Sequence, residues 1–123
     1  MSFRSAIEAG DIAAAVELLD EEVVFRSPIV YRPYAGRDAV AHLLRAVISL
    51  IEDFRYVREI GDGPDQALVF RARVGDREIE GCDFLHFADD GTIDELYVMV
   101  RPLSGALALA EGMKPLVEGL APS

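Results

Sequence analysis

The sequence predicts an α+β fold in which helices wrap a strongly bent, mostly antiparallel sheet. Three observations carry this expectation. In the first nineteen residues, Phe3, Ile7, Ile12, Val16 and Leu19 recur at helical spacing. A longer amphipathic stretch begins at Asp38. The second half alternates short strand-like runs with tight polar turns, ending in GCDFLHFADDGTIDELYVMVR from Gly81 to Arg101.

Taken in order, Gly10 ends one short helix and Asp11 caps the next, with Ala13, Ala14 and Ala15 as strong helix formers. Glu22 to Ser27 then turns β-branched and aromatic and stops at Pro28, which reads as a strand with Val23, Phe25 and Ser27 on one face. The segment PIVYRPYAG, with two prolines, two tyrosines and a glycine, is too irregular to predict an element. From Asp38 a third helix is expected, with Val40, Leu43, Leu44, Val47, Ile48 and Ile51 as its apolar stripe. His42, Arg45, Ser49 and Glu52 occupy the opposite side. Strands are expected at Phe54 to Ile60 and Gln66 to Val74, joined through Gly61-Asp62-Gly63-Pro64.

Gly75 and Asp76 suit a two-residue hairpin turn, and that turn fixes a register. Val74 should face Arg77, Ala72 Ile79, Phe70 Gly81 and Leu68 Asp83. Asp83 therefore lies on a row whose other members, Leu85 and Phe87, are apolar, and a carboxylate in such a row needs a reason. After a turn at Asp89, Asp90 and Gly91, the last strand runs from Ile93 to Arg101. Both faces of this hairpin are largely apolar: Leu96, Val98 and Val100 form one row, Tyr97 and Met99 the other, with Phe84 beside them. An apolar outer row predicts a homodimer contact through Phe84, Tyr97 and Met99. From Leu103, apolar residues at helical spacing predict a short helix with a looser tail.

A length of 123 residues suits one domain, expected to span 1–123 with the C-terminal helix and tail at 103–123. The 22 acidic against 12 basic side chains give a formal charge of −10. Such a surface repels phosphate backbones and anionic lipids, so neither nucleic acid nor membrane is an expected partner. No apolar run approaches the ~20 residues that span a bilayer. The N-terminal stretch is charged and helical where a secretory signal needs an uninterrupted apolar core, which predicts a cytoplasmic protein. Two distant histidines without a matched carboxylate cluster predict no metal site and no cofactor. Cys82 has no partner for an internal disulfide, and its place on the outer row makes it a small hydrophobe rather than a nucleophile.

At this point the chain resembles a known superfamily. Gly10-Asp11 between the first helices, Ser27-Pro28, Pro33 to Gly36 before the third helix, and Asp83-Phe84-Leu85-His86-Phe87 followed by Gly91 and Ile93 are similar, in order and spacing, to the nuclear transport factor 2-like superfamily. Within it the chain looks most like the SnoaL-like and ketosteroid isomerase-like branch, over Phe3 to Arg101. The resemblance implies a cone-shaped, curved, mostly antiparallel sheet wrapped by three N-terminal helices, with a short C-terminal helix. It also implies site positions. The oxyanion-hole tyrosine of the isomerases falls at Phe3, which has no hydroxyl, and their general-base aspartate falls at Ser27, which is no base. The carboxyl that acts protonated, as a hydrogen-bond donor, is matched at Asp83.

Three functional readings follow. The first is a pocket protein for a small apolar or amphipathic molecule, with Asp83 as polar anchor. Phe3, Ser27, Phe70, Leu85, Leu96 and Val98 would line the pocket, and Tyr31 and Tyr34 would border its mouth. The second is an isomerase- or cyclase-type enzyme doing acid/base chemistry on a polyketide- or steroid-like carbonyl compound, with Asp83 catalytic or with a base such as His42. The third is a dimerisation module with no ligand. For Asp83 the alternative to a ligand is a buried carboxyl satisfied by a backbone amide, a tyrosine hydroxyl or an arginine.

Overall fold

The computed structural model describes residues 1–122; Ser123, the last residue of the expected tail, lies outside them. Two short helices open the chain, α1 at Phe3–Glu8 and α2 at Ile12–Glu17. Ser2 and Ser5 form a reciprocal capping box on α1, while the Asp11 carboxylate accepts from the Ala14 amide to start α2. Gly10 between them sits at φ 72, a backbone region that suits glycine.

Strand β1 covers Leu19–Arg26 and begins earlier than its β-branched run. Leu19 pairs with Ile93, the register then shifts, and pairing resumes at Val24 with Glu95. The exposed acidic residues Glu21 and Glu22 fall within this irregular stretch. Strand β2 is only Tyr34–Ala35, a two-residue edge pairing inside the segment read as irregular. Helix α3, Arg37–Leu50, buries Val40, Leu43 and Leu44 against β1, and Gly36 at φ 99 makes the entry turn. It starts one residue before Asp38, which contributes its negative charge to the first turn.

Strands β3 (Glu52–Ile60), β4 (Asp65–Val74), β5 (Arg77–Phe87) and β6 (Ile93–Arg101) complete a six-stranded sheet in the order β2-β1-β6-β5-β4-β3. The β1–β6 pairing is parallel and the rest are antiparallel. The β4–β5 register is the expected one throughout, including Phe70 with Gly81 and Leu68 with Asp83. Register shifts in β3–β4, β1–β6 and β5–β6 bend the sheet into an open cone rather than a flat layer.

Curvature also depends on close approach at two glycines. A Cβ at Gly81 would run into the Phe70 ring and the Met99 carbonyl, so the ring lies across β5 only because position 81 has no side chain. Gly105 similarly lets α4, Leu103–Met113, settle on β5, where a Cβ would meet Ile79 and the Glu78 carbonyl. A short 3-10 turn, Lys114–Val117, follows α4. The concave face carries the core, including Val23, Leu68, Phe70, Leu85 and Leu96 from the sheet and Phe3, Ala6 and Ile7 from α1. Each fully buried Leu or Val there contributes about 1.5–3 kcal/mol of transfer free energy.

Candidate functional site

The sheet does not close on itself, and the space inside the cone is incompletely filled. A cavity of about 360 Å³ remains between the concave face, α1, α3 and the C-terminal segment. Its walls are apolar: Ile7, Leu43, Leu44 and Val47 from the helices face Phe25, Phe70, Leu96 and Val98 from the strands. The few polar groups on this wall set its chemistry.

Asp83 is the buried polar residue of the wall, 9% exposed. It stands between Leu68 on β4 and Val98 on β6. Its Oδ2 accepts a 2.7 Å hydrogen bond from the Tyr56 hydroxyl. Burial pushes the Asp83 carboxyl up to about 6, against the pull of the Tyr56 hydrogen bond, which favours the ionised form. Tyr56 in turn is driven well above the ordinary phenol range, first by burial and then by the neighbouring Asp83 charge. It therefore remains a donor across the physiological range.

Two neighbours hold the Tyr56 ring. Phe54 meets its ring edge-on at 4.9 Å between centroids, and Phe54 also lies 5.1 Å from the Phe70 ring. The Arg4 guanidinium of α1 sits over the same ring, 5.9 Å from its centroid, itself engaged by Glu8 and Glu59. At the start of β3, Asp53 adopts φ 55, unusual for a residue with a side chain, and Arg73 grips its carboxylate at 3.0 Å. This strained entry and the register shift between Glu52 and Arg55 lie at the start of the stretch in which Phe54 and Tyr56 both reach the cavity.

The residues singled out from the sequence separate into two groups. Phe3, Ser27, Tyr34, Phe70, Leu96 and Val98 line the cavity with Asp83. Ser27 lies just past the end of β1, and its Oγ accepts from the Ile29 and Val30 amides at 2.9 and 3.3 Å, leaving its proton free to donate. Tyr31 does not border the cavity: it is 98% exposed, because the loop after Pro28 turns its side chain to solvent. Leu85 is likewise absent from the wall. It is buried one row beyond Asp83, packed into the core between Gln66 and Leu96.

His42 is on the outer side of α3, where its Nε2 donates to the Leu116 carbonyl at 2.7 Å, and it does not reach the cavity. That placement removes it as a base for chemistry at Asp83. His86 lies on the convex face, 2.6 Å from Asp94, whose hydrogen bond raises its pKa. Tyr56 was the site residue least visible in the sequence, since β3 is exposed at most of its other positions. The C-terminal segment was also missed as a wall: Leu109, Ala110, Met113, Lys114 and Val117 close one side of the cavity. The helix was expected from Leu103, Leu107 and Ala110, but Leu103 and Leu107 face solvent, and the set that reaches the cavity follows the same helical period on another face.

No group of three or more His, Cys, Asp or Glu side chains among the described residues is arranged to hold a metal ion. No helix among them is long and apolar enough to cross a membrane.

A curved, unclosed sheet wrapped by helices around an apolar cavity defines the nuclear transport factor 2-like fold. A family model for the SnoaL-like domain matches residues 2–96, and the chain belongs to that family. Among solved structures, it is similar to a steroid delta-isomerase from Pseudomonas aeruginosa, with 43% identity over 90% of this chain and 82% of that one and a TM-score of 0.86. An uncharacterized protein with a cystatin-like fold from Silicibacter pomeroyi is 33% identical over 96% and 84% of the two chains, with a TM-score of 0.90. An NTF2-like protein of unknown function from Mesorhizobium loti, at 24% identity over 81% and 85% with a TM-score of 0.72, shares the fold. No curated protein gives a significant match.

Proposed function

We propose that this chain binds a small apolar or amphipathic molecule in its cone, with Asp83 as the polar anchor. The observation that carries this reading is the buried Tyr56–Asp83 pair on the wall of an otherwise apolar cavity of about 360 Å³. That volume falls within the range of small-molecule pockets. The walls supply the affinity and Asp83 the orientation. With Oδ2 taken by Tyr56, the second carboxyl oxygen is available to a ligand: protonated, it donates to a carbonyl or ether oxygen, and ionised, it accepts from a hydroxyl. A ligand that seals the cavity removes further water, which favours the protonated form. Extraction of the purified protein followed by mass spectrometry tests the reading. A stoichiometric apolar compound, absent from a Val98→Phe variant with a narrowed cavity, supports it; no retained compound and no uptake of apolar probes contradicts it.

A second reading, acid/base catalysis on a carbonyl compound, draws on the 43% identity to a steroid delta-isomerase structure. Against it stand Phe3 and Ser27, which place an apolar ring and a hydroxyl where the resemblance implies a tyrosine and an aspartate. Neither can remove a proton from carbon unaided. Asp83 itself is the remaining base on the wall, and its pKa of about 6 suits proton transfer near neutral pH.

The convex face supports a homodimer as the working assembly. Phe84, Tyr97 and Met99 stand in adjacent rows of β5 and β6, 40%, 38% and 51% exposed, with the Phe84 and Tyr97 rings 6.2 Å apart. A patch of that kind gains from being covered by a second copy.

A further inference from the structure

We infer that the cavity takes an amphipathic anion, its apolar body inside the cone and its negative head at the mouth beside Lys114. This rests on the pocket reading above and specifies its ligand class. Of the residues that line the cavity, Ile29 and Lys114 are the exposed ones, so the mouth lies where the loop after β1 meets the end of α4. Lys114 is the only lysine in the chain, and among the described residues it is the only cation on the cavity wall.

Several arginines are committed elsewhere. Arg4, Arg26, Arg71, Arg73 and Arg101 are each engaged by carboxylates at 2.9 to 3.4 Å, whereas no ion pair joins Lys114 to a described residue. A cation at the C-cap of α4 also complements the helix dipole. Charge then fixes orientation. A chain carrying −10 repels an anion over most of its surface, and an ionised Asp83 repels one from the inner wall. Lys114 alone on the wall attracts it, and its flexible stem lets the ammonium follow a head group without a rigid fork.

The test is a fluorescence titration with two probes that differ by one charged group, anilinonaphthalene sulfonate and neutral phenylnaphthylamine. Lys114→Met keeps the apolar stem and should weaken the sulfonate about threefold more than the neutral probe, the scale of an exposed ion pair. Lys114→Glu should weaken it further, and added salt should shrink both differences. Equal effects on the two probes, or none on the sulfonate, overturn the inference while leaving the pocket reading intact. Failure of both probes to bind, or binding that Val98→Phe leaves untouched, overturns the pocket reading and this inference together.

Discussion

The Tyr56 hydroxyl on β3 donates to Asp83 on β5, reaching past the intervening strand β4 with a 2.7 Å bond. Two residues 27 positions apart in sequence thus form one buried polar unit inside an apolar cone. The unit is asymmetric: the phenol stays protonated, and the carboxyl is the group whose charge can change.

Stability should therefore depend on pH through Asp83. Its folded-state pKa of about 6 lies above the ordinary 3.8, so the folded protein binds this proton more tightly than the unfolded chain. The resulting stabilisation is complete below about pH 4 and is lost as pH rises through about 6, a swing of about 3 kcal/mol. Asp83→Asn, which can still accept from Tyr56, should flatten that part of the profile and exceed wild-type stability at about pH 8. Urea unfolding of both proteins across this range checks the sign; parallel profiles would contradict it.

Tyr56→Phe should act in the opposite sense. Without the donor, the buried carboxylate loses a charge-assisted hydrogen bond, and the variant should be destabilised by roughly 1.5–3 kcal/mol above the Asp83 pKa and by less below it. The same denaturation series reads the effect as a steeper loss of stability with rising pH. A pH-independent difference would mean that the hydroxyl does not act through the charge on Asp83.

Gly81→Ala tests the geometry that lets Phe70 lie across the sheet. The added methyl meets the Phe70 ring and the Met99 carbonyl, and overpacking of this kind should destabilise by about 1–3 kcal/mol. Thermal unfolding measures it, and a second substitution, Phe70→Leu, should recover part of the loss.

For the convex face, Tyr97→Arg should release monomers in analytical ultracentrifugation without loss of the folded circular dichroism spectrum. An unchanged sedimentation profile would argue against the sheet-face dimer. For the catalytic reading, Ser27→Asp should introduce isomerisation of an unsaturated ketosteroid, followed by absorbance of the conjugated product, if position 27 faces the reacting carbon.

Local rules made much of the fold legible. The Gly75-Asp76 turn fixed the register that sets Leu68 opposite Asp83, and Gly10-Asp11 marked the break between the first two helices. Boundaries shifted where tertiary pairing outweighed composition, as at Leu19, which pairs with Ile93 of β6 and so starts the strand ahead of its β-branched run. The site was less legible because its second half is non-local. Asp83 stood out as a carboxylate on an apolar row, but Tyr56 belongs to a strand exposed at most other positions, and only the bent sheet brings its hydroxyl inward. Tyr31 looked equivalent to Tyr34, since both are aromatic residues of one irregular loop. The two-residue pairing of Tyr34 with Phe25 buries one and leaves the other in solvent.

The claim that Asp83 anchors a ligand inside the cone is tested most directly by calorimetric titration with acetylnaphthalene and its near-isosteric hydrocarbon, ethylnaphthalene. At about pH 5, where Asp83 is protonated, the ketone should bind about fivefold tighter than the hydrocarbon, the scale of one net hydrogen bond, and Asp83→Leu should abolish that preference while both compounds still bind. Equal affinities in the wild-type protein, or a preference that survives Asp83→Leu, would contradict the account.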